Sequence, residues 1–163
     1  MTQFNLTLEE LKKLHQFDFS DRPELELIRD LFVLQSNLGM KFSDLFSSMA
    51  NIVGDAIEYS PIKTGNRVVR VPLTGTAKQI LEKYSRPDAQ SLVPKIPLTD
   101  YNKGIKKVLK EAGIDRVVVI MNTTTGHGHE EHYPIYEVAS SHMARRTFVG
   151  LACRPISSRV TRI

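Results

Sequence analysis

The sequence predicts an α+β fold, mostly helical, with small antiparallel sheets. Three observations predict it. Apolar residues recur at helical spacing in several long stretches, such as Tyr101, Ile105, Val108, Leu109 and Ala112. Helix-start signals stand where those stretches begin. Between them lie short Val- and Ile-rich runs around Gly- and Asn-containing turns, which read as hairpins. A chain of 163 residues is one domain on length and is long enough to bury a core.

Taken in order, "LTLEELKKLHQF" opens with Thr7 and, three residues on, Glu10, the pattern of a capping box. Leu8, Leu11 and Leu14 give that helix its apolar face. A second helix is expected near 23–37, with Pro23 in its first turn, Asp21 as candidate cap and Gly39 as its stop. Its residues Leu27, Ile28, Leu31, Phe32, Leu34 and Gln35 imply near-complete burial. A short helix follows from Phe42 or Ser43. "GDAIEYSPIKTGNRVVRVPL" reads as two strands around a Lys-Thr-Gly-Asn turn, with Val68, Val69 and Val71 favouring strand. A helix begins near Thr74. In "LTDYNKGIKKVLKEAG", Lys103, Lys106, Lys107 and Lys110 line the face opposite the apolar one, and Gly113 closes the helix. "RVVVIM" and a strand near "IYEVA" form a hairpin whose tip is the His-rich loop. A last helix starts at Ser140 or Ser141.

Charge is unevenly spread. Residues 1–60 carry 5 Lys/Arg against 10 Asp/Glu, whereas residues 61–163 carry 17 against 8. The basic part suits a polyanion and the acidic part suits a partner protein, although solvated lysine faces explain the same numbers. A single cysteine, Cys153, excludes an internal disulfide. With no apolar run of membrane-spanning length and no secretory start, a cytoplasmic protein with no membrane partner is expected.

Several chemistries find little support. His127, His129 and His132 lie in "GHGHEEH", but the spacing in "HEEHY" is not that of a zinc-protease helix, so an exposed loop is favoured over a metal site. No Gly-rich loop has the spacing that cradles a nucleotide's phosphates. Cys153 lacks an activating neighbour.

Cations remain. His142 and Arg145 are three apart and share a helical face; Arg146 points about 100° away from Arg145. Lys41 follows a helix break, and Lys63 sits in a strand turn. Such a set suits a phosphate whose developing charge must be held and neutralised. The residues alone leave a second reading open, in which His142 is a buried core histidine and the arginines pair with acids such as Glu137.

The segments "LGMKFSDL", "IKTGNRVVRVPL" and "SSHMARRTF", in that order, resemble the catalytic domain of tyrosine recombinases, the phage integrase family. The likeness is to integrases of mobile elements in Bacteroides-type bacteria. It covers about residues 5–150, so an integrase-like domain is expected over 1–150 and a divergent basic tail over 151–163. The resemblance implies DNA strand cleavage and rejoining through a 3′-phosphotyrosine link, without metal, nucleotide or other cofactor. It implies that Lys41 occupies the place of the family's first arginine, with Asp44 as the supporting acid. Lys63 would protonate the leaving 5′ oxygen, and His142 and Arg145 would hold the scissile phosphate. Double-stranded DNA is the implied partner, with Arg146, Lys103, Lys106 and Lys107 as further DNA-binding candidates. Other recombinase protomers are a second partner class.

Three departures accompany the resemblance. Lys41 stands where the family has arginine, and a point charge cannot reproduce a two-pronged contact. The family's second histidine or tryptophan, and its nucleophilic tyrosine, would both fall beyond the matched segments; Tyr133 and Tyr136 precede the His-x-x-Arg helix and do not match. "LACRPISSRVTRI" does not look like the family's continuation, as a frameshift or early stop would produce, and no N-terminal clamp domain precedes the match. An inactive DNA-binding remnant, or a module pairing with an intact recombinase, is therefore the alternative expectation.

Overall fold

The computed structural model describes residues 4–152 apart from 48, 49, 65, 125 and 127. His127, Cys153 and all of the tail except Leu151 and Ala152 thus lie outside the described residues. In order, the elements are α1 (Leu8–Gln16), α2 (Pro23–Leu38), α3 (Phe42–Leu45), β1 (Asn51–Val53), β2 (Ala56–Tyr59), β3 (Val69–Pro72), α4 (Gly75–Lys83), α5 (Leu98–Glu111), β4 (Val117–Asn122), β5 (His129–Pro134), a 3₁₀ turn (Ile135–Val138) and α6 (Ser141–Ala152). The fold is α+β, with one three-stranded antiparallel sheet in the order β1-β2-β3 and one β4-β5 hairpin.

Helix α2 is the central element. Leu31, Phe32 and Leu34 are fully buried, and α1, α4, α5 and α6 all pack around the helix. The approach of α5 is so close that a Cβ on Gly104 would overlap the Ile28 side chain. At α1 the capping box forms in both directions: the Glu10 N–H donates to Thr7 Oγ1 at 3.1 Å, and the Thr7 N–H donates to Glu10 Oε2 at 2.8 Å.

Polar groups brace α2 as well. Arg29 and Asp30 are buried side by side at 2.6 Å, and Arg29 donates to the carbonyls of His15 and Phe17. Lys83 and the Tyr84 hydroxyl both donate to Asp30 Oδ2, at 2.7 and 2.8 Å, which fastens α4 onto α2. Burial, reinforced by the Asp30 carboxylate, pushes the Tyr84 phenol far above its ordinary range.

Three expectations are corrected. Asp21 does not cap α2; Arg22 holds the N-cap position without a side-chain cap, and its guanidinium reaches across to Glu111. The strand expected near "IYEVA" is instead β5, His129–Pro134, so His129 and His132 are exposed strand residues rather than part of a loop. Pairing ends at Pro134, after which the Ile135 N–H bonds to the Arg116 carbonyl and the chain turns to bury Ile135. The sheet also gains β1, an exposed three-residue strand paired with β2.

Candidate nucleic-acid interface

The loop after α2 is built by one residue of special conformation. Gly39 is left-handed, with φ 68°, and its N–H closes the helix on the Gln35 carbonyl at 2.9 Å. A Cβ here would also overlap the ring of Phe148, so α6 presses directly on the end of α2. The side chain of Gln35 then turns back, and its Nε2 donates to the Met40 carbonyl at 3.0 Å. The Tyr101 hydroxyl of α5 donates to the other end of the same amide at 2.9 Å. Lys41 emerges from this loop as the N-cap residue of α3, exposed.

One turn further on, Asp44 is 3% exposed, and its Oδ1 accepts the N–H of Ile62 at 3.0 Å. That bond ties α3 to the β2–β3 turn, where Lys63 stands exposed on the next residue. Tyr59, at the end of β2, lies within electrostatic reach of both Asp44 and Arg145. Burial first, and then the Asp44 charge, raises its phenol, while Arg145 pulls it the other way. The buried acid, the tyrosine and the arginine thus share one neighbourhood.

Helix α6 supplies the remaining cations. Its buried side is Met143, Ala144 and Thr147, and Thr147 Oγ1 accepts the Leu6 N–H at 3.0 Å. His142, Arg145, Arg146 and Val149 are exposed and lie within about 100° of the helical circle, so they form one stripe. The reading of His142 as a core histidine is excluded by its exposure. Among the described residues neither Arg145 nor Arg146 has an ion-pair partner, Glu137 included, and the same holds for Lys41 and Lys63. Elsewhere in the molecule, exposed cations such as Arg70 and Arg116 have found carboxylates. The start of α6 is set by α5, where Asn102 Oδ1 accepts the Ser141 N–H at 2.9 Å.

Lys103, Lys106 and Lys107 are exposed on α5. Lys106 lies about 40° from Asn102 around the helix, so the lysine stripe begins beside the start of α6. Lys110, on the same stripe, sits 5.6 Å from the Tyr136 ring, which anchors it toward the 3₁₀ turn.

The residues that sequence reasoning missed are Gln35, Tyr101 and Asn102. Their sequence context places Gln35 and Tyr101 on apolar faces. The signal for Gln35 was a polar residue inside an otherwise apolar helix, since a buried amide must be satisfied on both ends. The residues nearest a metal-like arrangement form a different network: the Glu131 carboxylate accepts from Tyr133, Asn122 and His129, and these bonds lower its pKa. Among the described residues no group of three His, Cys, Asp or Glu is placed to hold a metal ion, and no helix is long and apolar enough to cross a membrane.

No protein-family model matches the sequence, and no curated protein matches it. Among solved structures, the chain is similar to XerH site-specific recombinase in two complexes. The post-cleavage complex with palindromic difH gives a TM-score of 0.57 at 14% identity, over 93% of this chain and 42% of that one. The pre-cleavage complex with difH gives 0.55 at 14%, over 96% and 44%. The protein therefore has a tyrosine-recombinase-like fold. It spans less than half the length of the recombinase chains it matches.

Proposed function

We propose that this chain is a duplex-DNA-binding module carrying the phosphate-gripping part of a tyrosine-recombinase catalytic centre. The carrying observation is the set of exposed basic side chains Lys41, Lys63, His142 and Arg145, none of which has an ion-pair partner among the described residues. They are contributed by three segments, two of them locked together through buried Asp44. Exposed cations without protein carboxylates are available to an anion, and their spread over several elements suits a phosphate backbone better than a small ligand.

In this reading Arg145 and Lys41 neutralise the non-bridging oxygens of one phosphate, and His142 donates to the same group. Lys63, in the place that the resemblance gives to the acid serving the leaving 5′ oxygen, here adds its charge to the same phosphate without proton transfer. Arg146, Lys103, Lys106 and Lys107 neutralise neighbouring phosphates. The full reaction of the family also needs a tyrosine nucleophile. None of the five tyrosines here is set up for it: Tyr84, Tyr101 and Tyr133 donate to other side chains, Tyr136 lies under Lys110, and the Tyr59 phenol is raised rather than lowered. The activity proposed for residues 1–163 is accordingly DNA binding at a cleavage-type phosphate site without a covalent step. Kinship with mobile-element integrases and pairing with an intact recombinase protomer belong to the same proposal.

The test is equilibrium binding of the 163-residue polypeptide to duplex DNA across a salt series. Neutralising one central phosphate and four neighbours predicts a slope of roughly −4.5 in log K against log salt. A flat salt response, or no binding, overturns the reading.

A further inference from the structure

Two adjacent residues of α5 reach both halves of the cation cluster. Tyr101 is completely buried, yet it touches the chain on each side of Lys41. Its hydroxyl acts on Met40 through Gln35, with links of 2.9 and 3.0 Å. Its ring stacks on Phe42 with centroids 5.1 Å apart. The next residue, Asn102, accepts the Ser141 N–H at the start of the helix that carries His142 and Arg145. Gln35 and Met40 are as buried as Tyr101, so water offers no substitute partner when this bridge is cut.

The geometry points to Tyr101 as a positioning residue for Lys41, with Asn102 doing the same for the His142–Arg145 helix. This inference rests on the phosphate-binding reading given above. Tyr101 never meets the phosphate. It fixes the backbone before and after Lys41, so that the ammonium leaves the surface from one place. A lysine needs that help more than an arginine would, because its single flexible charge has no fork to orient it.

The experiment is a double-mutant cycle on duplex affinity, using Tyr101→Phe and Lys41→Ala in the full chain. Tyr101→Phe keeps the ring and its stacking and removes only the hydroxyl. Amide exchange at residues 39–42 is followed in parallel, against the core of α5 at 105–109. The expected result is a loss of about threefold for Tyr101→Phe in the wild-type background, with no further loss once Lys41 is alanine. Exchange should accelerate at 39–42 and stay slow at 105–109. Equal losses in both backgrounds, or no loss in either, overturn the positioning role while leaving the site reading intact. If Lys41→Ala itself leaves affinity unchanged, the assignment of Lys41 to the phosphate falls, and the role of Tyr101 falls with it. Should Tyr101→Phe fail to fold, Gln35→Met cuts the same bridge and is read in the same cycle. For Asn102, Asn102→Ala should weaken binding about threefold, with that loss abolished in an Arg145→Ala background. Additive losses overturn it.

Discussion

Gly39 and Phe148 occupy the same small volume where α2 ends and α6 crosses it, and only the absence of a Cβ on Gly39 lets the ring in. The position also demands a positive φ of 68°. Gly39→Ala therefore meets a backbone penalty and an overlap at once. It should cost about 2–4 kcal/mol, read as a lower urea midpoint with unchanged m-value. Phe148→Ala in the same background should recover part of the loss by relieving the overlap.

Lys41 offers a substitution that should improve the site. Lys41→Arg restores a fork of donors at a place where the resemblance expects one, and duplex affinity should rise about three- to tenfold at low salt. Arg145→Ala should weaken binding and reduce the salt slope by about 1. Anisotropy titrations at several salt concentrations measure both, and an unchanged slope for Arg145→Ala would remove that residue from the phosphate set.

Asp44 holds a backbone N–H rather than a charged side chain. Asp44→Ala should leave the α2–α6 core folded while the Ile62 amide loses its acceptor. Hydrogen exchange at Ile62 and Lys63 should accelerate at least tenfold, on the order of the one hydrogen bond lost.

Acid sensitivity should arrive in two stages. His15 is held below its ordinary value of 6.5, chiefly by burial and then by the Arg29 charge. The folded state disfavours its protonation, so stability present above pH 6.5 is lost as pH falls below it. Burial pushes the Glu10 carboxyl up, but bonds from Arg116 and Thr7 outweigh it and hold the group below 4.5. Its contribution is present above pH 4.5 and disappears as pH falls through its lowered value. Denaturation at pH 7, 5.5 and 4 should show the first loss abolished by His15→Gln and the second reduced by Glu10→Gln.

A suicide duplex that traps strand cleavage should give no covalent adduct with the 163-residue polypeptide on a denaturing gel. An adduct that vanished with Tyr59→Phe would identify an unexpected nucleophile beside Arg145 and would restore an enzymatic reading.

The helical frame was legible because its signals are local. The Thr7–Glu10 pair caps α1, Thr74 caps α4 through the Ala77 N–H, and the apolar face of α5 is buried residue for residue. The short strands were less so. β1 is three exposed residues with no pattern to read, and β5 places Glu and His on both faces, so its extended form is set by pairing with β4. The cation set was named from the resemblance, since spacing alone allowed a buried His142 and paired arginines. What positions the segments that carry these residues is long-range: a Gly39–Phe148 contact, a carboxylate on a distant N–H, and an amide turned back on its own helix end. No window of sequence contains both ends of any but the last.

The bond between Asp44 and Ile62 makes two surface lysines into one mechanical part. Lys41 stands three residues before the carboxylate and Lys63 one residue after the amide, so a pull on either is transmitted to the other through one part-buried hydrogen bond and two short stretches of backbone. A flexible polymer lying across both would meet two lysine stems rooted at a set spacing. It would have to bring its own charges to that spacing, and a strand unable to do so would be gripped at one point only.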